Sequence, residues 1–183
     1  MTFLTAITGS IGLCLQAGIT FRLQEHFFSH HFNRHLAVLS GMILYLAVSI
    51  AGFYALSSQG HYFLYSILRQ SFLILLLVLY FQGRLWHKAS LSAILCASTE
   101  FINNALGEML SFINMFFPEN WQAFSGLFVN LFYPGGILIL WYIFRHLHLR
   151  PDGFSKQICQ LLFFIMWGLI LLTDIVYHGI THG

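Results

Sequence analysis

Three polar residues recur at a four-residue spacing within an apolar stretch in the middle of the chain, namely Glu100, Asn104 and Glu108. Residues four apart lie on the same face of an α-helix. Carboxylates are costly at bilayer depth, and where they occur they usually face protein or water and take part in binding or charge relay. The spacing therefore predicts a polar helical face that could bind a ligand.

The composition indicates that this face belongs to a membrane protein. Hydrophobic residues make up 58% of the 183 residues and charged residues only 8%, whereas a typical soluble domain is about 25% charged. The formal net charge of +2 is mild, and no long basic run occurs. The bilayer is therefore the expected partner, and a nucleic-acid partner is not expected.

Six stretches of the chain are long and apolar enough to be membrane spans, which need about 20 residues each. Because their connections are short, we expect one all-α polytopic membrane bundle of about six transmembrane helices, occupying residues 1–183 as a single domain. The expected spans are Thr2 to Phe21, Leu36 to Leu56, Tyr62 to Phe81, Ala89 to Phe112, Phe124 to Phe144 and Gln157 to Tyr177.

Arginine and lysine occur in alternate connections, and cytoplasmic loops usually carry the excess of these residues. The other connections and both termini contain none. This alternation predicts an integral membrane protein with both termini extracytoplasmic. The basic residues, which follow the first, third and fifth expected spans, are Arg22, Arg34, Arg84, Lys88, Arg145, Arg150 and Lys156.

Two further charged residues, Arg69 and Asp174, lie near the outer ends of their expected spans. A cation in hydrocarbon needs a partner, so we expect Arg69 to pair with Glu108, Asp174 or Asn104. One explanation is a structural ion pair that fixes helix register. The functional interpretation is an interior, externally open ligand-binding site formed by Arg69, Glu100, Asn104, Glu108 and Asp174.

Histidines on the predicted cytoplasmic side form a second group with potential chemistry. Part of the group has the pattern H-x-x-x-H-H-x-x-x-H, and histidines four apart on a helix can bind one metal. This is similar to the integral-membrane di-iron desaturases and hydroxylases, although their H-x-x-H-H box is absent. We expect no cofactor; the alternative is a metalloenzyme with iron or zinc. The residues are His26, His30, His31, His35, His146 and His148.

Known catalytic motifs are missing from the sequence. It contains no phosphate-binding glycine loop, G-x-S-x-G, H-E-x-x-H or C-x-x-C, so hydrolase or kinase chemistry within these residues is not expected.

Another alternative is a small membrane transport subunit, such as the substrate-binding component of a vitamin importer, which has a similar length and span count.

A family resemblance rests on the loop at 79–88, LYFQGRLWHK, and on the helix that follows it with Ser98, Thr99 and Glu100. The basic segment at 144–150 before the last apolar helix adds to it. This order of features resembles the membrane sensor region of accessory-gene-regulator-type (GHKL) peptide-sensing histidine kinases of Gram-positive bacteria, and the resemblance covers most of the chain.

The resemblance implies a quorum-sensing receptor of a bacterial plasma membrane that binds a small extracellular ligand, a peptide, and passes the signal inward through helix repacking. It also implies a homodimer or a partner kinase. In that family a cytoplasmic helix with a phospho-accepting histidine and an ATP-binding domain follow the sensor. These 183 residues contain neither, so the resemblance implies sensing without kinase activity.

Overall fold

The structure is a computed structural model, and most of what it describes lies in five long helices. Between them, the described residues at 132–146 are also helical. The helices are α1 (Thr2–Gln24), α2 (Arg34–Ala55), α3 (Tyr62–Tyr80), α4 (Leu85–Asn114) and α5 (Lys156–His182). The described residues are 2–31, 33–56, 60–114, 132–133, 135–136, 138–139, 141–143, 146 and 153–182.

The expected all-α class is confirmed for these residues. Within the described ranges the β-type pairing is limited to an isolated antiparallel bridge between His30 and Phe81, which joins two connections.

Three of the helices are long and apolar enough to cross a membrane, over Arg34–Ala55, Phe63–Tyr80 and Lys156–Thr173. They also expose many large apolar side chains, which is unusual for a protein surrounded by water. These properties identify the chain as a membrane protein. Examples of the exposed side chains are Leu39, Ile43, Leu75, Leu79, Leu161 and Phe164.

The expected count of six spans is confirmed only for those three helices. α1 and α4 form close to the expected positions. The side chains at 2–8 of α1 lie outside the described residues, and α4 carries buried polar and charged side chains, such as Lys88 and Glu100, that lower its mean hydropathy. The fifth expected span, Phe124 to Phe144, lies mostly outside the described residues.

α4 is the central helix of the described bundle. It packs most extensively on α5 and also contacts α3 and α1, while α2 packs between α1 and α3. The first half of α4 is buried on nearly every face. A helix enclosed by other helices can carry polar side chains because its neighbours supply their partners.

The short connection between α3 and α4 fixes how these helices align. Lys88 Nζ donates hydrogen bonds to the carbonyl oxygens of Val78 at 2.7 Å and Phe81 at 2.6 Å, which satisfies carbonyls at the end of α3. Gly83 adopts a φ of 130°, a conformation that favours glycine. These contacts therefore fix the position of α4 along α3 at the end of the bundle where the basic connection lies.

α1 and α2 approach each other closely where Gly41 faces the ring of Phe21. A Cβ atom at position 41 would lie 2.4 Å from Phe21 Cζ, and the Phe21 side chain is fully buried. The glycine is needed because this contact has no space for a methyl group.

Candidate functional site

The candidate site centres on a buried ion pair between α3 and α4. Arg69 Nη2 donates to Glu100 Oε2 at 2.8 Å, with side-chain exposures of 14% and 3%. Gln70 Nε2 donates to the same carboxylate oxygen. Because both ions are removed from most of the water, each depends on the other for its stability.

A second set of buried hydrogen bonds joins α1 and α2 to the residue before Glu100. Tyr45 Oη donates to Gln16 Oε1 at 3.0 Å, and Gln16 Nε2 donates to Thr99 Oγ1 at 3.1 Å. Tyr45 and Gln16 are fully buried, and Thr99 is nearly so. Together with the ion pair, these bonds form a polar layer that links α1, α2, α3 and α4.

Two aromatic rings border this polar layer. The Arg69 guanidinium lies 5.8 Å from the centre of the Tyr65 ring, within the distance at which a cation is attracted to a ring face. Tyr133 is buried and lies close enough to interact electrostatically with Arg69 and Glu100. Tyrosine rings therefore lie close to the ion pair.

Some polar atoms at and next to the layer are buried without a hydrogen-bond partner among the described residues. They are Arg69 Nε, Gln70 Oε1 and Asn104 Nδ2. A buried donor or acceptor that makes no hydrogen bond costs about 1–3 kcal/mol. A polar ligand that reached these atoms would recover part of that free energy.

The polar face expected on α4 runs from this layer towards the C-terminal end of the helix. Glu100 is buried, Asn104 is half-buried and Glu108 is exposed. With a rise of about 1.5 Å per residue, Glu108 lies about 12 Å along the helix from Glu100. The side chain of Glu108 therefore lies at the exposed end of this face, and its expected part in an externally open ligand site stays a prediction.

The partner of Arg69 differs from the expectation. Glu108, Asp174 and Asn104 were the candidates, whereas the observed partner is Glu100. α4 has 30 residues and α3 has 19, so α4 extends beyond α3 and depths counted from their outer ends do not match. Asp174 lies in α5, and its side chain is outside the described residues.

Three residues of the polar layer that the sequence interpretation missed are Gln16, Tyr45 and Gln70. A signal was present in α1, where Gln16, Thr20 and Gln24 recur at the same four-residue spacing that revealed the α4 face. All three α1 residues are fully buried. Gln70 had a weaker signal, its position next to Arg69.

The opposite, basic end of the bundle contains a second charged cluster around Glu25. This carboxylate accepts hydrogen bonds from Arg22 Nη1 at 3.0 Å, Arg34 Nε at 2.9 Å and His30 Nε2 at 2.7 Å. Burial raises the pKa of Glu25, but the hydrogen bonds from Arg34, His30 and Arg22 together outweigh burial and lower the pKa.

The histidine pattern lies across a connection and not on one helix. α1 ends at Gln24 and α2 begins at Arg34, so the helical spacing assumed for the histidines at 26–35 does not apply. His30 bonds to Glu25, whereas His26, His31, His35 and His146 are exposed. His148 is outside the described residues.

In the part of the chain that the structure describes, no three histidine, cysteine, aspartate or glutamate side chains are placed to hold a metal ion. Iron or zinc binding by the histidines stays an untested alternative.

Comparison with known proteins found no matching family model, no matching curated protein and no matching solved structure.

Proposed function

We propose that this chain is a membrane signal-sensing domain that binds a small extracellular ligand, a peptide, and passes the signal inward by repacking its helices. The observation that carries the proposal is the buried Arg69–Glu100 ion pair, which lies in a polar layer shared by four helices.

The chemistry of this layer suits a switch better than a purely structural core. Replacing a buried ion pair by apolar residues is often neutral or stabilising, so stability alone gives little reason to keep one. A ligand can shift a conformational equilibrium only through different affinities for its two states. The Arg69–Glu100 pair joins α3 to α4. A ligand that competes for either side chain would therefore bind more tightly to the conformation in which the pair is broken than to the one in which it is formed.

The exposed end of the α4 face offers a route for the ligand. Glu108 provides an exposed carboxylate, and Asn104 provides a buried amide donor without a partner among the described residues. A peptide carries both amide donors and carbonyl acceptors, so it can bond to both side chains. The Arg- and Lys-free connection at this end supports an extracytoplasmic orientation.

The proposed protein has six membrane spans and acts together with a second protein. α1, α4 and the segment 124–144 would complete six spans in a bacterial plasma membrane, with both termini extracytoplasmic. A homodimer or a separate kinase would receive the signal, since the resemblance to peptide-sensing kinases carries no catalytic motif into this chain.

A thermal-shift experiment tests the proposal. The purified protein in lipid nanodiscs is mixed with the low-molecular-mass fraction of the source organism's culture medium, either untreated or digested with protease. We expect the untreated fraction to raise the melting temperature and the digested fraction to leave it unchanged, because digestion destroys a peptide ligand.

Two asparagine variants locate the effect. Asn104→Leu removes the unpartnered amide, and Asn103→Leu makes the same change at the neighbouring position, on a different face of α4. We expect only Asn104→Leu to lose the response. A wild-type protein that ignores the untreated fraction, or an equal response of both variants, would contradict the proposed peptide site.

A further inference from the structure

A cleft of about 570 Å³ opens at the basic end of the bundle, where α1 ends and α2 begins. One side of it is polar and contains Arg22, Glu25, His26 and Arg34. It lies at the end opposite to the exposed part of the α4 face, so it is separate from the polar layer.

Two guanidiniums are held in place on the polar side by one buried carboxylate. Glu25 is 8% exposed and bonds to both Arg22, which is 40% exposed, and Arg34, which is 59% exposed. It accepts hydrogen bonds from Nη1 of Arg22 and Nε of Arg34, and Nη2 of Arg34 lies 2.8 Å from the same carboxylate oxygen. Since these bonds use only part of each guanidinium's donors, the cleft keeps excess positive charge and N–H groups for an anion.

The other side of the cleft is apolar. It includes the half-buried Ile19 and Trp141 and the exposed Leu138. Tryptophan is common at the boundary between lipid tails and headgroups. The cleft therefore places cationic groups next to an apolar wall at the end of the helices, which matches an anionic headgroup joined to an acyl chain.

We propose that this cleft binds an anionic phospholipid of the cytoplasmic leaflet. The phosphate bonds to Arg22 and Arg34, and an acyl chain lies along Leu138 and Trp141. Arginine pairs well with phosphate oxygens because its planar donors can make two parallel bonds. Ligand sites usually occupy about 300–1,000 Å³, so a cleft of this volume accommodates more than a phosphate ion. In the orientation proposed above, on which this assignment rests, the basic connections face the leaflet that is richer in anionic lipid.

Native mass spectrometry of the detergent-purified chain tests the site. The protein is mixed with phosphatidylglycerol or phosphatidylcholine of identical acyl chains, and binding is repeated in the presence of glycerol 3-phosphate. We expect phosphatidylglycerol to bind more tightly than phosphatidylcholine. We also expect little competition from glycerol 3-phosphate, because that compound has the phosphate but not the acyl chain.

Charge variants distinguish the cleft from general surface attraction. Arg34→Gln removes an exposed cleft arginine, and we expect phosphatidylglycerol affinity to fall roughly fivefold, the usual effect of one basic residue near an anionic surface. The double variant Arg22→Gln and Arg34→Gln should bind phosphatidylglycerol more weakly than Arg34→Gln alone. Arg84→Gln is the matched control, since Arg84 is exposed in another basic connection and does not line the cleft.

Each outcome bears on the proposal. A selective loss in the cleft variants, with Arg84→Gln like wild type and unchanged circular dichroism, supports it. Equal loss in Arg84→Gln overturns it, because attraction would then be a general property of the basic surface. Equal binding of the two lipids also overturns it. Full displacement by glycerol 3-phosphate overturns the lipid assignment and points to a soluble phosphate compound.

Discussion

The substitution Glu100→Gln removes the negative charge of the buried pair while keeping the size of the side chain. The Arg69 guanidinium, 14% exposed, would then lie in the bundle beside a neutral amide. The same change weakens the hydrogen bond from Gln70, because Glu100 accepts from both residues. It therefore disturbs two contacts of one carboxylate.

Two independent estimates give a similar cost for this substitution. Removing one partner of a buried ion pair typically destabilises a protein by about 3–5 kcal/mol. Placing an arginine at the centre of a membrane helix costs about 2.5–3.5 kcal/mol on insertion scales. Because the amide oxygen of the introduced glutamine can still accept a hydrogen bond, we expect a loss near the lower end, about 3 kcal/mol.

Reversible unfolding by dodecyl sulfate in mixed micelles, followed by circular dichroism, measures the loss. Glu108→Gln is the matched control because it makes the same change on the same helical face at an exposed position, and it should cost within about 0.5 kcal/mol. The double variant Arg69→Met and Glu100→Leu removes both charges. We expect it to be no less stable than Glu100→Gln alone, since no unpaired ion remains.

Equal losses in Glu100→Gln and Glu108→Gln would refute this reasoning, because the first carboxylate would then contribute no more than an exposed one. Strict additivity of the Arg69 and Glu100 single effects in a double-mutant cycle would also refute it. Side chains in direct contact should show coupling, typically of about 0.5–3 kcal/mol.

Gly41→Ala should destabilise the protein by about 1–3 kcal/mol, measured by the same unfolding assay, because its methyl group would overlap the Phe21 ring; wild-type stability would show that the helices can separate without cost. Since the Arg34, His30 and Arg22 bonds lower the pKa of Glu25, its ionised form adds stability above the ordinary pKa of about 4.3 that is lost as pH falls through the lower folded value. Glu25→Gln should therefore lose less stability than wild type between pH 6 and pH 3, roughly the range that spans this titration, and parallel curves would contradict this. Elemental analysis of the purified protein should find no stoichiometric iron or zinc, whereas stoichiometric metal would favour the histidine alternative.

The positions of the helices could be predicted from apolar stretches because lipid exposure requires such stretches. The α4 face was also predictable, since one helix fixes the spacing of Glu100, Asn104 and Glu108 by itself. The short connection before α4 also contained the information needed to pair Arg69 with Glu100. Counted from that connection, Arg69 lies eleven residues before the end of α3 and Glu100 fifteen residues after the start of α4.

The remaining features depended on how separate segments meet in space. Arg69 and Glu100 lie eleven and fifteen residues from the α3–α4 connection, and these counts differ by about 6 Å of helix length, which a long arginine side chain can cross. Depths counted from the outer ends of α3 and α4 instead indicated Glu108, because the two helices have unequal lengths. The prediction that the histidines at 26–35 share one helical face was wrong for a local reason. α1 ends at Gln24, and residues four apart lie on one face only within a continuous helix. The bond from Tyr45 to Gln16 required the α1–α2 packing.

Distance measurements between spin labels test most directly whether the polar layer is a two-state element. Labels replace Leu64 in α3 and Met109 in α4, which are both exposed, and distances are recorded with and without the low-molecular-mass culture fraction. We expect the fraction to shift the distance distribution of the otherwise wild-type protein. The Glu100→Gln protein should already show the shifted distribution and should not respond. A single unchanged distribution in both proteins would contradict the account.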